Sequence, residues 1–425
     1  MPPAFHRASK TRGTASTVPA GLAELAESSG VRECLQWFGA GRQWLGEKHL
    51  ELCRIPAPTF LEQKRAEWMA GEFQQMGLEV SMDRAGNVIA VPPGERNGPL
   101  IALTGHLDTV LSPRRPEDVS SGPDGRLTGP GVADNGAGLA ALLGVARAVQ
   151  SAPPLNDGPA RIAFVATVGE EGEGNLSGMR FLCRPGGWAS RVQAFVVLDG
   201  PATDHITCHA LASRRFEISF AGPGGHSWSD YGVGNPVHAL SHAITLFVDC
   251  RGSGGPAGRT SFNFGVIEGG VSINSIPSHA RAKLDLRSET PEPIDEMAAQ
   301  LTDAVEQALA TENQRSPTAK VTAKIREIGS RPGGRLAEDA ALLRYLRAVD
   351  AHLGIRAQLD CASTDANIPL SLGLPAVSIG AGGQGGGAHT PAEWYSPEGR
   401  DLGLKRILLT LALLLRDPDG TAFDR

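Results

Sequence analysis

Residues 100–109 read Leu-Ile-Ala-Leu-Thr-Gly-His-Leu-Asp-Thr, a strand-like apolar run that leads into a histidine and an aspartate. In α/β proteins, the carboxyl ends of the strands are where sites are built. His106 and Asp108 are two residues apart at the predicted strand end, so their side chains point to one face. This arrangement suits a metal-ligating imidazole that a carboxylate orients; a core histidine with a satisfied hydrogen bond is the alternative.

Three further candidate ligands lie in similar places. Asp134 is in a tight turn before a predicted helix, where a carboxylate can bridge two cations, although an ordinary helix N-cap is the alternative. Asp199 ends another apolar strand, and His389 follows a glycine-rich loop. Each residue is a weak signal by itself, because aspartates in turns and histidines on surfaces are common.

Glu170 and Glu171 form the most informative pair, because they come just after the apolar run Ile162–Val168. Adjacent side chains at a strand end point differently, so one carboxylate can bind a metal while the other takes a proton from metal-activated water. The alternative is a solvated acidic turn, but two glutamates in this place are costly unless cations pair with them. Together, these segments predict a two-metal site, and mixed imidazole and carboxylate ligands favour Zn²⁺, Mn²⁺ or Co²⁺.

The composition is that of an ordinary globular protein, with 41% hydrophobic and 20% charged residues among 425. This length exceeds the size at which single cores stop growing, so two domains are expected. The formal net charge of -6 argues against nucleic acid or an anionic membrane as a partner. Six cysteines without a CxxC pair fit buried thiols in a reducing, cytoplasmic location.

Strand-like and helical runs alternate up to about Thr207 and again after Glu338, which predicts an α/β sheet. Between them, strands with alternating polar and apolar residues accompany two helical stretches, Pro236–Asp249 and Pro293–Ala310. Strands that are solvated on one face have this alternation, so the middle of the chain is predicted to be a compact α+β insertion.

These patterns divide the chain into three parts. We expect a discontinuous metal-binding catalytic domain over residues 31–207 and 326–425, with an inserted domain over residues 208–325. Residues 1–30 are expected to be a disordered tail, because the basic start of the chain lacks the apolar run of a secretory signal.

Four motifs follow one another along the chain: GHLDTV at 105–110, GPGVADNGAG at 129–138, GEEGEG at 169–174 and HTPAE at 389–393. In this order they resemble one family, the co-catalytic metallopeptidases of peptidase T, carboxypeptidase G, acetylornithine deacetylase, succinyl-diaminopimelate desuccinylase and aminoacylase. The resemblance runs from about Ile55 to the end of the chain. Asp199 in place of glutamate, with Ser-Thr-Asp-Ala-Asn at 363–367, is similar to the peptidase T-like branch. The resemblance implies a mixed-sheet, zinc-peptidase-like catalytic domain with an inserted α+β lid that forms a homodimer.

The resemblance also implies a role for each candidate residue around two divalent ions. Glu170 would be the general base and acid, and Asp108 would support a ligand from behind. The implied ligands are His106 and Asp199 on one ion, Glu171 and His389 on the other, and Asp134 bridging both, with a cis peptide to Asn135.

The insertion carries matching segments. His226 lies in a motif similar to the family's lid histidine, which in many members reaches the partner subunit's active site and steadies the oxyanion. Asn274 and Arg287 resemble lid contacts to a substrate carboxylate, although Arg287 as a solvated strand-edge charge is the alternative. Trp228 and Tyr231 are expected close to the pocket, either as lid core or as a platform for a flat aromatic substrate.

These observations favour a dinuclear metal-dependent hydrolase that cleaves a C–N bond of a small carboxylate-bearing substrate, either a short peptide or an N-acyl amino acid. A second hypothesis is an aminohydrolase, because the family also contains an enzyme that removes the amine of 5-nitroanthranilate. A third is a non-catalytic binding homologue, which would predict the loss of a ligand or of the base; the sequence retains all of them. These residues leave the metal and the substrate open.

Overall fold

A computed structural model describes residues 20–94, 98–155, 160–250 and 259–419. Its helices, in chain order, are α1 (Ala20–Ala26), α2 (Ser29–Ala40), α3 (Arg42–Cys53), α4 (Gln63–Gln75), α5 (Gly136–Ser151), α6 (Ser177–Leu182), α7 (Pro236–Asp249), α8 (Glu292–Arg315), α9 (Ala341–Leu353), α10 (Asn367–Ser371) and α11 (Arg400–Arg416). Its strands are β1 (Glu79–Met82), β2 (Val88–Val91), β3 (Leu100–His106), β4 (Ser120–Ser121), β5 (Leu127–Thr128), β6 (Arg161–Thr167), β7 (Val192–Leu198), β8 (His205–Ala210), β9 (Ala212–Ala221), β10 (Gly225–His226), β11 (Thr260–Gly269), β12 (Ser275–Ile276), β13 (His279–Ser288), β14 (Thr322–Arg331), β15 (Gly334–Arg335), β16 (Gln358–Ala362), β17 (Ala376–Ile379), β18 (Gln384–Gly386) and β19 (Trp394–Ser396).

The central sheet is mixed, with the strand order β1-β2-β6-β3-β7-β17-β8-β15, and β16 also pairs with β8. Its middle is parallel, because β3 pairs in parallel with β6 and β7, and β7 pairs in parallel with β17. Antiparallel strands flank this middle, with β2 next to β6 and β8 next to β17. The carboxyl ends of β6, β3 and β7 therefore meet at one edge of the sheet.

Strand β3 lies at the centre of the larger core. All seven of its residues are buried. An apolar run of this kind is what a strand covered on both faces requires, which is why Leu100–Thr104 contains no charged residue. Helix α5 contacts β3 and β7, and its small apolar side chains are buried almost throughout.

A separate antiparallel sheet, with the order β11-β13-β9-β14, has its own apolar core. Helices α7 and α8 contact this sheet. Alternate residues of β13 are buried, as the polar-apolar alternation predicts for a strand covered on one face. The predicted fold class, a mixed α/β sheet with a separate α+β unit, is confirmed.

Two details differ from the sequence-based expectation. Residues 20–30 are not a disordered tail, because α1 and the start of α2 occupy them and bury Leu22 and Leu25 in the main core. Residues 1–19 lie outside the described part of the chain. Strand β14 continues to Arg331, past residue 325 where we expect the insertion to end. Among the helices that are described, none is long and apolar enough to cross a membrane.

Candidate metal centre

Three neighbouring strands bring most of the candidate ligands to one edge of the central sheet. His106 is the last residue of β3, and Asp199 directly follows β7. Glu170 and Glu171 lie in the loop after β6. Because these strands are parallel, their carboxyl ends lie side by side, and residues far apart in sequence come together there.

The first cluster consists of His106, Asp134 and Asp199, whose candidate ligand atoms lie within 4.8 Å of one another. His106 Nε2 is 3.1 Å from Asp134 Oδ1 and 3.9 Å from Asp199 Oδ1. The other ring nitrogen, Nδ1, donates to the carbonyl oxygen of Asp108 at 3.0 Å. That hydrogen bond orients the ring so that Nε2 faces the two carboxylates.

The second cluster consists of Asp134, Glu171 and His389, again with ligand atoms within 4.8 Å. His389 Nε2 is 3.1 Å from both Asp134 Oδ2 and Glu171 Oε1. Asp134 therefore presents one carboxylate oxygen to each cluster. His106, Glu170 and Glu171 also lie this close together, so the two clusters form one continuous group.

The turn that carries Asp134 is held by a buried glutamate, Glu393. Its carboxylate accepts hydrogen bonds from the backbone N–H groups of Gly131 at 2.7 Å, and of Ala133 and Asp134 at 2.8 Å each. Hydrogen bonds to a charged acceptor are stronger than neutral ones, so they fix this turn without using the Asp134 carboxylate. The peptide bond between Asp134 and Asn135 is cis, as the resemblance implies.

Asn135, rather than Asp134, stands at the N-cap position of α5. Its side-chain Nδ2 donates to the carbonyl oxygen of Leu198 at 2.8 Å, which ties the turn to the end of β7. A Cβ atom at Gly138 would lie 2.2 Å from Asn135 Oδ1, so only glycine lets the helix approach this amide. The N-cap alternative for Asp134 is therefore not what the structure shows.

Asp108 is fully buried, and its carboxylate accepts three hydrogen bonds of 2.9 Å each. The donors are the backbone N–H groups of Glu170 and Glu171 and the hydroxyl of Thr59. Asp108 Oδ1 is 3.6 Å from His106 Nδ1, so its carboxylate acts on the imidazole through its charge. Asp108 thus connects the histidine strand to the loop that carries both glutamates.

Glu170 and Glu171 are both buried, in contrast to the alternative of a solvated acidic turn. Their side chains diverge as expected from adjacent positions. Glu171 Oε1 faces His389, whereas Glu170 Oε1 accepts a hydrogen bond from Arg331 Nη1 at 3.0 Å.

The carboxylates of the site lie in surroundings that disfavour their charge. Burial raises the pKa of Asp199 to about 7, and the nearby charge of Asp134 adds to this effect. Burial also raises the pKa of Glu171, and it raises that of Glu170 well above its ordinary value despite the opposing charge of Arg331. These surroundings favour either protonation of the carboxylates or a bound cation.

The pKa values of the two histidines are also raised, which for an imidazole favours the charged form. Burial opposes the charge of His106, but the carboxylates of Asp108 and Asp134 raise its pKa well above the ordinary value. The hydrogen bond to Asp134 is the main cause that raises the pKa of His389 to about 9. Nitrogen and carboxylate oxygen donors that together attract positive charge form a set suited to two divalent ions such as Zn²⁺, Mn²⁺ or Co²⁺.

A cavity of about 480 Å³ opens at this cluster, and its wall includes Arg215 and Arg287 from the four-stranded sheet. Asp285 lies between them, with its Oδ1 3.0 Å from Arg215 Nε and its Oδ2 2.7 Å from Arg287 Nε. Because one carboxylate serves two guanidinium groups, this wall keeps a positive charge that can attract a substrate anion. A larger cavity of about 1050 Å³, beside Arg42 and Asp401, contains none of the candidate ligands.

Four residues that we expected near the site do not line this cavity: His226, Trp228, Tyr231 and Asn274. Trp228 and Tyr231 are 87% and 88% exposed, so they belong neither to a lid core nor to the cavity of their own chain. The reason is local: β10 pairs with β12 alone, in a short two-stranded ribbon outside both large sheets. His226 is exposed there, and its Nδ1 accepts the backbone N–H of Trp228 at 3.2 Å.

Two residues that support the site were not predicted from the sequence. Glu393 ends the HTPAE motif, so its position in that motif was a signal, but nothing in it indicated contact with the Asp134 turn. Arg331 lies in the unpatterned stretch Gly-Ser-Arg-Pro-Gly-Gly, and only the packing of the two sheets brings it to Glu170.

Comparison with known proteins identifies the family and the fold. The model of Peptidase family M20/M25/M40 matches residues 102–413. The uncharacterized protein YqjE of Bacillus subtilis (strain 168) is 25% identical over 353 residues, which cover 79% of this chain and 89% of YqjE. The solved tripeptidase of Staphylococcus aureus subsp. aureus Mu50 has a TM-score of 0.69 at 21% identity, covering 88% of this chain and 98% of the tripeptidase. Aminopeptidase PepT of Bacillus cereus has a TM-score of 0.67 at 21% identity, covering 87% and 98%; both structures share the fold.

The mixed sheet and the histidine–carboxylate cluster at its edge define the class of α/β metallohydrolases. The family match extends over most of the sequence. The chain belongs to Peptidase family M20/M25/M40, which confirms the resemblance drawn from its motifs.

Proposed function

We propose that the chain is a dinuclear metal-dependent hydrolase that cleaves the C–N bond of a short peptide or an N-acyl amino acid. The observation that carries this proposal is Asp134, whose two carboxylate oxygens face His106 and His389 at 3.1 Å each. A carboxylate shared in this way is suited to bridge two cations. His106 and Asp199 would complete one ion's ligands, and Glu171 and His389 the other's.

When bound, two divalent ions supply Lewis acidity toward the substrate carbonyl and lower the pKa of water. Glu170 is the residue best suited to move the proton, because it adjoins Glu171 and is not required in either ligand cluster. Its carboxylate would accept a proton from the attacking water and deliver it to the leaving nitrogen. Burial supports this role, since it raises the pKa of Glu170 and so helps the residue hold a proton.

The substrate end of the cavity supports a carboxylate-bearing molecule. Arg287 is partly exposed, and Asp285 holds its Nε, which leaves its Nη groups for an anion. The volume of about 480 Å³ suits a small substrate. The names of the two structural neighbours, a tripeptidase and an aminopeptidase, agree with a peptide substrate.

His226, with Asn274 beside it in the same ribbon, is proposed to serve the site of a partner subunit. Both residues are exposed and outside the cavity of their own chain, which is consistent with a role across a homodimer. A donor at that place would stabilise charge that develops in the transition state. The regions on either side of the inserted sheet would then form the catalytic domain, and the insertion, which continues to Arg331 rather than ending at residue 325, would form the lid domain.

The aminohydrolase alternative uses the same ion ligands and a different electrophile. Its support in the sequence came from Trp228, Tyr231 and Arg287 as contacts for an aromatic carboxylate. Trp228 and Tyr231 lie outside the cavity of their own chain, whereas Arg287 lines it. The binding-homologue alternative has less support, because both clusters and Glu170 are complete.

A rate assay on protein loaded with Zn²⁺ or Mn²⁺ tests the proposal. The substrates would be di- and tripeptides, N-acyl amino acids, and aminobenzoates including nitroanthranilates. Glu170→Gln should lower kcat by about 10²–10⁴-fold and keep two bound ions, because it removes proton transfer and leaves the ligands. Glu306→Gln, an exposed position on α8, is the control and should behave as the unaltered protein. Ammonia release from an aminobenzoate alone would overturn the amide assignment, and full activity after chelation would overturn the metal dependence.

A further inference from the structure

Arg331 is the last residue of β14, in the four-stranded sheet, yet its side chain is buried at the metal cluster. Its Nη1 donates to Glu170 Oε1 and to Ser363 Oγ, both at 3.0 Å. Its Nη2 donates to the backbone carbonyl oxygen of Glu170. One guanidinium therefore binds both the side chain and the main chain of Glu170, which fixes its side-chain rotamer as well as its backbone.

The rest of the glutamate loop is attached to the same sheet. Donors from β9, β13 and β14 reach three residues of the loop that follows Glu170. These contacts are Arg215 Nη1 to the carbonyl oxygen of Gly172 at 2.5 Å, Lys283 Nζ to Glu173 Oε1 at 3.0 Å, and Ser330 N to Asn175 Oδ1 at 3.1 Å. The loop is thus held by Asp108 on the central-sheet side and by the four-stranded sheet on the other.

We infer that Arg331 is a positioning residue, which sets the carboxylate of Glu170 at the productive place and makes that placement depend on the docking of the four-stranded sheet. The inference rests on the proposed role of Glu170 as the base. Its physical basis is that catalysis is sensitive to about 1 Å of misplacement, which can cost roughly 10²-fold in rate. A free glutamate side chain among several carboxylates would turn away from them, and Arg331 prevents this.

Arg331 is not suited to bind a substrate carboxylate instead. Both of its Nη groups already donate to Glu170, and its Nε is buried without a partner among the described residues. Arg287 differs on each point, since it is partly exposed and uses only its Nε within the chain. Loss of Arg331 should therefore change kcat rather than KM.

The test compares Arg331→Met, Arg331→Lys and the control Arg326→Met in metal-loaded, full-length protein. Arg326 lies on the same strand and pairs with Glu217 on the exposed surface. Arg331→Met should lower kcat about 100-fold with KM changed less than about threefold and both ions retained. Arg331→Lys should recover about tenfold of this loss, because lysine can donate to the carboxylate but not in the same fork geometry. Arg326→Met should leave both constants unchanged.

Hydrogen exchange of the backbone amides at 170–175 gives a readout that needs no turnover. Arg331→Met should speed their exchange by about tenfold or more, because buried charge-assisted hydrogen bonds no longer hold the loop. A raised KM with unchanged kcat would show that Arg331 binds substrate, and unaltered exchange and kcat would overturn the inference. If the unaltered protein hydrolyses no member of the panel, the proposed function fails, while the exchange data still decide whether Arg331 holds the loop.

Discussion

At the scale of single residues, burial and neighbouring charges shift the pKa values of the candidate ligands in directions that favour protonation. Asp199 and Glu171 are disfavoured as charged groups by burial, whereas His389 is favoured as a charged group by its carboxylate neighbours. Protons and a divalent ion therefore compete for the same candidate ligand atoms. A divalent ion binds by displacing these protons, so metal binding and pH are linked.

This linkage predicts how metal affinity depends on pH. Asp199, with a pKa of about 7, and His389, with a pKa of about 9, must both be deprotonated to bind. Lowering the pH from 8 to 6 adds protons to these ligands, so affinity should fall by about 100-fold or more. Calorimetric Zn²⁺ titrations of metal-free protein, in buffers of different ionisation enthalpy, should show release of more than about one proton per chain at pH 6.5. Zinc binding without proton release, at an affinity independent of pH, would contradict this.

The sequence could indicate the candidate ligands, because each one lies at a strand end or in a turn with glycine or asparagine. Such local patterns are visible in one sequence. Arg331 and Glu393 were not predictable, because their importance comes from contacts across 161 residues to Glu170 and 259 residues to Asp134. Neither the charge pattern nor the helical or strand periodicity of a sequence indicates such distant partners.

At the scale of elements, helix α3 supports the bridging turn. His49, on its buried face, donates from Nε2 to the carbonyl oxygen of Val132 at 2.7 Å, and its ring contacts Tyr395. Burial lowers the pKa of His49 to about 3, so the residue stays neutral in the folded protein. Helix α3, which was not predicted from the sequence, thus reaches the backbone carbonyl group of Val132, two residues before Asp134.

His49 predicts a pH dependence of folding. Its folded pKa of about 3 lies below the ordinary value of 6.5, so only the unfolded chain takes up this proton as the pH falls below 6.5. The resulting loss of stability is absent above pH 6.5 and reaches about 2 kcal/mol at pH 5. His49→Gln keeps a donor for Val132 without the titration, so it should lose less stability than the unaltered protein between pH 7 and 5. Urea unfolding of metal-free protein measures this difference.

The control for that comparison is His352→Gln, at an exposed position of α9. It should follow the pH profile of the unaltered protein. Equal losses in all three proteins would show that His49 is protonated in the folded state.

Element prediction worked where periodicity was clear. Helix α7 has the predicted bounds Pro236–Asp249, and its N-cap Asn235 accepts backbone hydrogen bonds. Helices α1 to α3 were not predicted individually, although α2 buries Val31, Cys34 and Phe38 at helical spacing. Packing on α5 and α11 supplies much of their stability. Nothing in the sequence of the β10–β12 ribbon tells which surface it faces, so the role of His226 stays a prediction.

At the scale of the whole molecule, the cavity lacks any contact with His226, and the ribbon around it exposes apolar side chains. Trp228, Tyr231, Val271 and Ile273 are all largely exposed. Where such side chains form one patch, they mark an interaction surface. A homodimer that covers them and inserts His226 into the partner's cavity would account for both features.

Complementation tests that arrangement. Glu170→Gln and His226→Ala should each be nearly inactive alone. In equal mixtures of co-expressed chains, a mixed dimer would contain one site with both native residues, so activity should return to about a quarter of the unaltered level. No recovery, in mixtures shown by mass to contain mixed dimers, would place His226 in its own chain's site or outside catalysis.

The position of Glu393 has a consequence for how the protein is made. A ribosome produces His106, Asp134, Glu171 and Asp199 before the four-stranded sheet, but His389 and Glu393 only after it. Until those late residues have left the exit tunnel, the bridging turn lacks its anchor and one cluster lacks its histidine. A nascent chain can therefore finish its inserted sheet before the cluster of Asp134, Glu171 and His389 is complete. An ion held there, as we propose, would bind only after the last part of translation.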